Sequence, residues 1–132
     1  MSRRFIFDLL HKQNLLTFVS YRTMEVVLIF PHQLFQLHPA VQENRPVILV
    51  EEWLFFKQYK FHKQKIVLHR ASMRAYADVL EAEGNEVRYV ESFEKIADLR
   101  LLIPALKKEG VLKVHVAAVA DDWLQRRLVK TC

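Results

Sequence analysis

Glycine is nearly absent. The 132 residues hold two, Gly84 and Gly110, and each follows a glutamate that closes a helical pattern. Both therefore serve as the left-handed residue just past a helix end. None is left for the turn after the first strand, where Pro31 and His32 stand. This argues against an NAD-type dinucleotide fingerprint and a P-loop, because both need glycines to bring backbone N–H groups up to phosphates. Cysteine occurs once, as Cys132. One chain can then form no internal disulfide and no cysteine-ligated zinc or iron–sulfur site, which fits a reducing, cytoplasmic compartment. The longest apolar runs, such as Val26 to Pro31, are far too short to span a bilayer, so no membrane partner is expected. Catalytic chemistry is also thin. The six histidines include no pair at helical zinc spacing, and Ser72 beside His69 has no hydrolase elbow around it. No catalytic and no metal-ligating residue is assigned. His115, in mid-strand, reads as a structural histidine.

The net charge of +5 divides unevenly. Residues 1–23 carry Arg3, Arg4, Lys12 and Arg22 against Asp8, a balance of +3, and the other 109 residues are +2. The basicity is local rather than global. Its second focus lies between Glu52 and Asp78, where no acidic residue occurs. Lys57, Lys60, Lys63, Lys65, Arg70 and Arg74 fall in that gap with His62 and His69, behind the aromatics Trp53, Phe55, Phe56, Tyr59 and Phe61. From about Gln64 the spacing turns helical, with Leu68, Ala71, Ala75 and Val79 on one stripe and Arg70, Arg74 and Glu81 on another. A helix start already carries partial positive charge. Cations there imply either an anionic or planar partner or a solvated face whose long stems cover apolar surface. The basic surface is read as Lys57, Lys60, Lys65, Arg70 and Arg74.

Residues 1–23 read as an N-terminal extension outside the core, able to form a helix through Phe5, Leu9 and Leu16, with the α/β domain running from Met24 to Cys132. Within the domain, Glu25–Phe30, Pro46–Glu51, Glu86–Val90 and Leu112–Val119 are apolar runs of strand length. Pro31 stops the first strand, and a short helix from about Pro39 fits the connection that follows. The long helix ends near Glu83. Ser92 can cap a helix from Phe93 to Glu109, with Pro104 either kinking it or starting a new one. Asp121 or Asp122 can cap the last helix. Helix, Glu-Gly and strand follow one another twice, in EAEGNEVRYV and LKKEGVLKVHV. That order predicts βαβ units in a Rossmann-like, three-layer α/β fold, with a parallel sheet of strand order 3-2-1-4 and helices on both faces. Ligands of such sheets bind beyond the carboxyl ends of the strands at the switch point. The residues there are Phe30 to Gln33, Glu51, Glu52, Glu91 and Val119 to Asp122. Glu51 and Glu52 can bond a ligand or close a loop end.

The strings FPHQLF at 30–35, PVILVEE at 46–52 and FHKQKIVLHRASMRAY at 61–76 resemble the N-terminal α/β domain of the bacterial photolyase-related family, the iron–sulfur type of prokaryotic cryptochrome and photolyase. The resemblance runs from Met24 to about Arg127. Many family members carry Gly-Asp-Gln-Leu after the first strand, where this chain has Pro31-His32-Gln33-Leu34, so Gln33 is the matched polar residue. The resemblance implies an antenna-type domain of a light-dependent DNA-repair flavoprotein. It also implies a ribityl-lumazine antenna chromophore at Pro31, His32, Gln33, Leu34, Glu51 and Glu52, with His62 and Lys63 closing over it. FAD and the iron–sulfur cluster would belong to a C-terminal helical part, through which damaged DNA would be met. On that reading the chain is a fragment without repair activity of its own. Two other functions remain open from the residues: a non-catalytic binding or docking module using the basic 57–74 surface, and a small nucleotide-binding protein of flavodoxin-like type.

Overall fold

Strands form where β-branched and aliphatic residues run together. The computed structural model of the chain describes residues 4–8, 24–43, 45–58, 60 and 62–132. Its strands are β1 (Arg4–Asp8), β2 (Met24–Ile29), β3 (Val47–Val50), β4 (Val87–Val90) and β5 (Val111–Ala117). Its helices are α1 (Trp53–Phe56), α2 (Lys63–Ala82), α3 (Leu99–Lys108) and α4 (Asp122–Thr131), with a 3₁₀ turn at Lys95–Ala97. The sheet order is β1-β5-β2-β3-β4. β5, β2, β3 and β4 run parallel, which is the 3-2-1-4 order expected of the four domain strands.

The fifth strand is the addition. β1 pairs antiparallel with β5, from Arg4 opposite Ala117 to Asp8 opposite Lys113. The N-terminal extension thus lends backbone to the sheet at 4–8, where helical spacing suggested a helix. The rest of that helical reading, on Leu9 and Leu16, lies outside the described residues. An unpaired β5 would present a row of free N–H and C=O groups, and β1 covers them.

Alternation along each strand divides the core in two. Val26, Leu28, Ile48, Val50, Val114 and Val116 face α3 and α4, which pack Leu99, Leu102, Ile103, Leu106, Leu124 and Leu128 against them. Val27, Ile29, Val47 and Leu49 face α2, which contributes Met73, Ala77 and Leu80. The result is the three-layer arrangement, helices on both faces of the sheet. Gly84 and Gly110 have φ of +89° and +94°, the left-handed conformation that ends α2 and α3.

Three local readings change, and one open alternative, at Pro104, is resolved. No helix forms near Pro39; the chain there is a series of turns. Asp98, not Ser92, caps the helix before β5, accepting from Arg100 N at 2.9 Å. Pro104 sits inside α3 rather than at a helix start. The apolar stripe of α2 faces outward: Leu68 and Val79 are 66% and 52% exposed, and Ala71 and Ala75 are exposed too. Met73, Ala77 and Leu80, flanked by Ile66 and Tyr76, turn inward instead. Two stripes of α2 satisfy helical periodicity, and the one with the larger side chains removes more apolar area from water.

Candidate functional site

The carboxyl ends of β2, β3 and β5 open onto one end of the sheet, where the sequence placed a ligand crevice. α2 runs back from that end. Its first seven residues precede Arg70, whose side chain is tied to Glu51 just after β3.

Glu51, fully buried, follows β3. Its Oε1 accepts from Arg70 Nε at 2.8 Å and from the Tyr89 hydroxyl at 2.7 Å. Its Oε2 accepts from Arg70 Nη2 at 2.8 Å and from Ser92 N at 2.9 Å. Four donors fill the acceptor capacity of a carboxylate. Burial alone would raise the Glu51 pKa, but the bonds from Arg70, Tyr89 and Ser92, with the Arg70 charge, bring it below the ordinary value. Tyr89 is in turn pushed up, by burial and by its bond to Glu51. One turn further along α2, Arg74 pairs with Glu91 and lies 3.7 Å from the centroid of the Tyr89 ring. Arg70 and Arg74 therefore join α2 to the ends of β3 and β4.

Glu52, also fully buried, turns the other way. Its Oε2 accepts from Leu54 N at 2.6 Å and caps α1. Its Oε1 accepts from Leu99 N at 3.3 Å and from Arg127 Nη1 at 3.4 Å. Burial dominates here, and the Glu52 pKa is raised. Arg127 also donates to Gln58 Oε1 at 2.6 Å, with its guanidinium 5.7 Å from the centroid of the Trp53 ring.

Gln33 is fully buried as well. Its Nε2 donates to the carbonyl oxygens of Ala117 and Ala118, at 3.0 and 3.4 Å. Facing two carbonyls, that end of the amide must be the nitrogen. The bonds lock the loop after β2 to the end of β5, across the switch point. Gln33 Oε1 is buried and has no hydrogen-bond partner among the described residues.

His32 is exposed and lies parallel to the Phe30 ring, with centroids 6.3 Å apart, and tilted against Phe55 at 5.3 Å. Crowding lowers its pKa; Asp121 opposes that shift and His69 adds to it. His69 packs on Phe56, and its own pKa is lowered by burial and by Lys65. Asp121 caps α4 by accepting from Leu124 N at 2.9 Å. His32 and Phe55 therefore offer an aromatic platform, with His69 and Asp121 on two sides. Pro31 is buried and Leu34 half-buried behind it. His62 and Lys63 are exposed at the tip of α2, and His62 Nδ1 accepts from Gln64 N at 3.3 Å as the helix cap. They lie about 10 Å along the helix axis from His69.

The basic surface is less free than its sequence suggests. Lys57, Lys60 and Lys65 are exposed, but Arg70 and Arg74 are occupied by Glu51 and Glu91. Duplex DNA is therefore expected to bind weakly and without sequence preference, with a log–log salt slope of roughly −1.4 to −2 for two phosphate contacts. A fluorescence-anisotropy titration at several salt concentrations measures it, and salt-resistant, sub-micromolar binding would contradict it.

Sequence reasoning missed Tyr89, Ser92, Arg127 and Phe55. The alternation in β4 offered a hint for Tyr89; nothing local pointed to Arg127, whose carboxylate partner lies 75 residues away. His115 is in part the structural histidine anticipated: its Nε2 lies 2.8 Å from Glu25 Oε2, while its buried Nδ1 has no partner among the described residues. No group of three or more His, Cys, Asp or Glu among the described residues could hold a metal ion. No helix among them is long and apolar enough to cross a membrane.

A family model for deoxyribodipyrimidine photo-lyase-related proteins matches residues 27–132. The chain belongs to that family. The match takes in β3, β4 and β5 whole and the second half of β2, and with them the switch-point cluster and all four helices of this photo-lyase-related chain. A search of the curated proteins returns no match.

Proposed function

We propose that this photo-lyase-related chain is an antenna-type α/β module of a light-dependent DNA-repair flavoprotein, taking a flat heterocyclic chromophore of the ribityl-lumazine class at the carboxyl-end crevice. The observation that carries the reading is the pairing of exposed His32 with half-buried Phe55, ring centroids 5.3 Å apart, at the switch point of a photo-lyase-related fold. Stacking suits a planar ring.

The donors and acceptors fit such a ligand in part. Gln33 Oε1 is a buried acceptor with no partner among the described residues, and a ring N–H would satisfy it once the 31–35 turn shifts to admit the ligand. Glu51 and Glu52 do not fit as direct contacts, because their oxygens are already taken by Arg70, Tyr89, Ser92, Leu54, Leu99 and Arg127. They hold the crevice in shape. His62 and Lys63 supply polar groups at the rim for a hydroxylated tail. When bound, the chromophore would absorb light and pass excitation on; the residues here only seat and orient it. An iron–sulfur cluster finds no fit, since Cys132 is the one cysteine and burial pushes its thiol up to about 11. Repair chemistry on this reading belongs to a helical partner region that carries the flavin.

Fluorescence titration with a ribityl-lumazine tests the proposal. Saturable binding is expected, weakened about 5- to 100-fold by His32→Ala, the range of a lost stacking contact, and weakened by Gln33→Ala. Lys57→Ala, away from the platform, leaves it unchanged. A well-folded parent that binds no lumazine, or tight binding indifferent to His32→Ala, would overturn the reading.

A further inference from the structure

The outer face of α2 has no counterpart in the fold. Val67, Leu68 and Val79 are exposed there, 65%, 66% and 52%, with Ala71 and Ala75 between them. At 100° per residue these five positions lie on one side of the helix, opposite Met73, Ala77 and Leu80. A 20-residue helix with apolar stripes on two sides has a second surface to cover.

The charges say what covers it. α2 has no acidic residue in its first turn and no basic residue in its last. Lys63 and Lys65 stand at its positive end, and Glu81 and Glu83 at its negative end. Every one of these charges opposes the helix's own dipole. The arrangement is unfavourable for one helix and favourable for two laid antiparallel. The stripe is also close to palindromic. About a centre level with residue 73, Val67 falls opposite Val79, Ala71 opposite Ala75, and the lysine end opposite the glutamate end; Leu68 falls opposite Asp78, the one acid on this face before the glutamate end.

We propose that this face is a homodimer interface, in which two copies of the chain pair their α2 helices antiparallel about a two-fold axis at the level of Ala71 to Ala75. The contact is isologous, as a closed dimer requires. Ala71 meets Ala75 of the partner subunit, and the small side chains let the helix axes approach closely. Val67 covers Val79 of the partner subunit, and Leu68 packs beside it, next to the stem of Asp78 of the partner subunit. Lys63 and Lys65 meet Glu81 and Glu83 of the partner subunit, and the opposed dipoles add to the attraction. Arg70 and Arg74 keep their bonds to Glu51 and Glu91 and take no part. A single helix pair is a small interface, so affinity falls in the micromolar range or weaker. The contact shares Lys63 with the proposed chromophore rim, but it does not rest on that reading, and the Ala71→Arg variant tests it without touching a crevice residue.

Sedimentation velocity of the full chain over a concentration series is the test. A monomer–dimer equilibrium is expected, weakened by added salt. Ala71→Arg weakens it at least about tenfold by placing a long cation at the axis. The charge-reversed variants Lys63→Glu/Lys65→Glu and Glu81→Lys/Glu83→Lys each dimerise at least about tenfold less well alone. Each reversal agrees with the dipole of its own helix, so neither lowers the melting temperature. Mixed in equal amounts, the two reversed variants form a heterodimer at about the parental affinity, because every end again meets its opposite. A parent that stays monomeric at millimolar concentration, a dimer indifferent to these variants, or a mixture that fails to associate overturns the proposal and leaves the face to another partner.

Discussion

Glu51→Ala is expected to lower the unfolding free energy by about 2–4 kcal/mol, which at this chain length corresponds to roughly 10 °C in melting temperature. The side chain is fully buried and joins three elements: the end of β3, α2 through Arg70, and the β4 end through Tyr89 and Ser92. Alanine leaves the Tyr89 hydroxyl and the Ser92 N–H without their acceptor. Arg70 suffers less, because its side chain is 46% exposed and can turn to water. That escape keeps the figure below the full cost of a stranded buried charge. Glu51→Gln isolates the charge. The folded pKa of Glu51 lies below its unfolded value, so its contribution is complete above the unfolded pKa of about 4.3. It is lost as pH falls through the folded value. Urea melts at pH 7 and pH 3 should therefore show the parent well ahead of Glu51→Gln at neutral pH and the gap narrowing in acid. A gap of equal size at both values would mean that the carboxylate charge is not what holds the junction.

Glu52→Ala should cost about 3 kcal/mol for a different reason. The cap of α1 goes, Leu99 N loses its acceptor, and Arg127 is left with Gln58. Arg127 is only 15% exposed and cannot turn to water as Arg70 can. Much of the cost is then the stranded cation, so Arg127→Met on the Glu52→Ala background should recover part of it. A double variant as unstable as the two single effects added would refute that coupling. The pH dependence has the opposite sign to that of Glu51. Burial raises the Glu52 pKa, so the folded state favours the protonated form. The stability this provides is full below the unfolded pKa and is lost as pH rises through the folded value. Two adjacent glutamates, both fully buried, should therefore answer acid in opposite directions. Glu52→Gln should be milder than Glu51→Gln at pH 7, and the difference should shrink or reverse in acid. The same order of severity at both pH values would contradict this account.

The sequence by itself determined the architecture and the family. Four apolar runs, two Glu-Gly helix ends and the scarcity of glycine elsewhere are local features, and local features suffice where the chain alternates strand and helix with short turns. The strings around Gln33, Glu51 and His69 carried the family resemblance for the same reason. The tertiary structure decided what those residues do. Periodicity names the faces of α2 without saying which points inward, because the Leu68–Val79 stripe and the Met73–Leu80 stripe both satisfy it. Packing of the larger side chains, and the bonds of Arg70 and Arg74 to the strand ends, fixed the rotation. The sequence could offer Glu51 and Glu52 as ligand contacts or as loop-end groups. Their partners lie 2 to 75 residues away along the chain, and only the crossing of α2, α3 and α4 over the sheet ends brings those donors to the carboxylates. The pairing of Arg4–Asp8 with β5 was likewise invisible, since an edge strand is selected by the free backbone groups of its neighbour and leaves little trace in its own side chains.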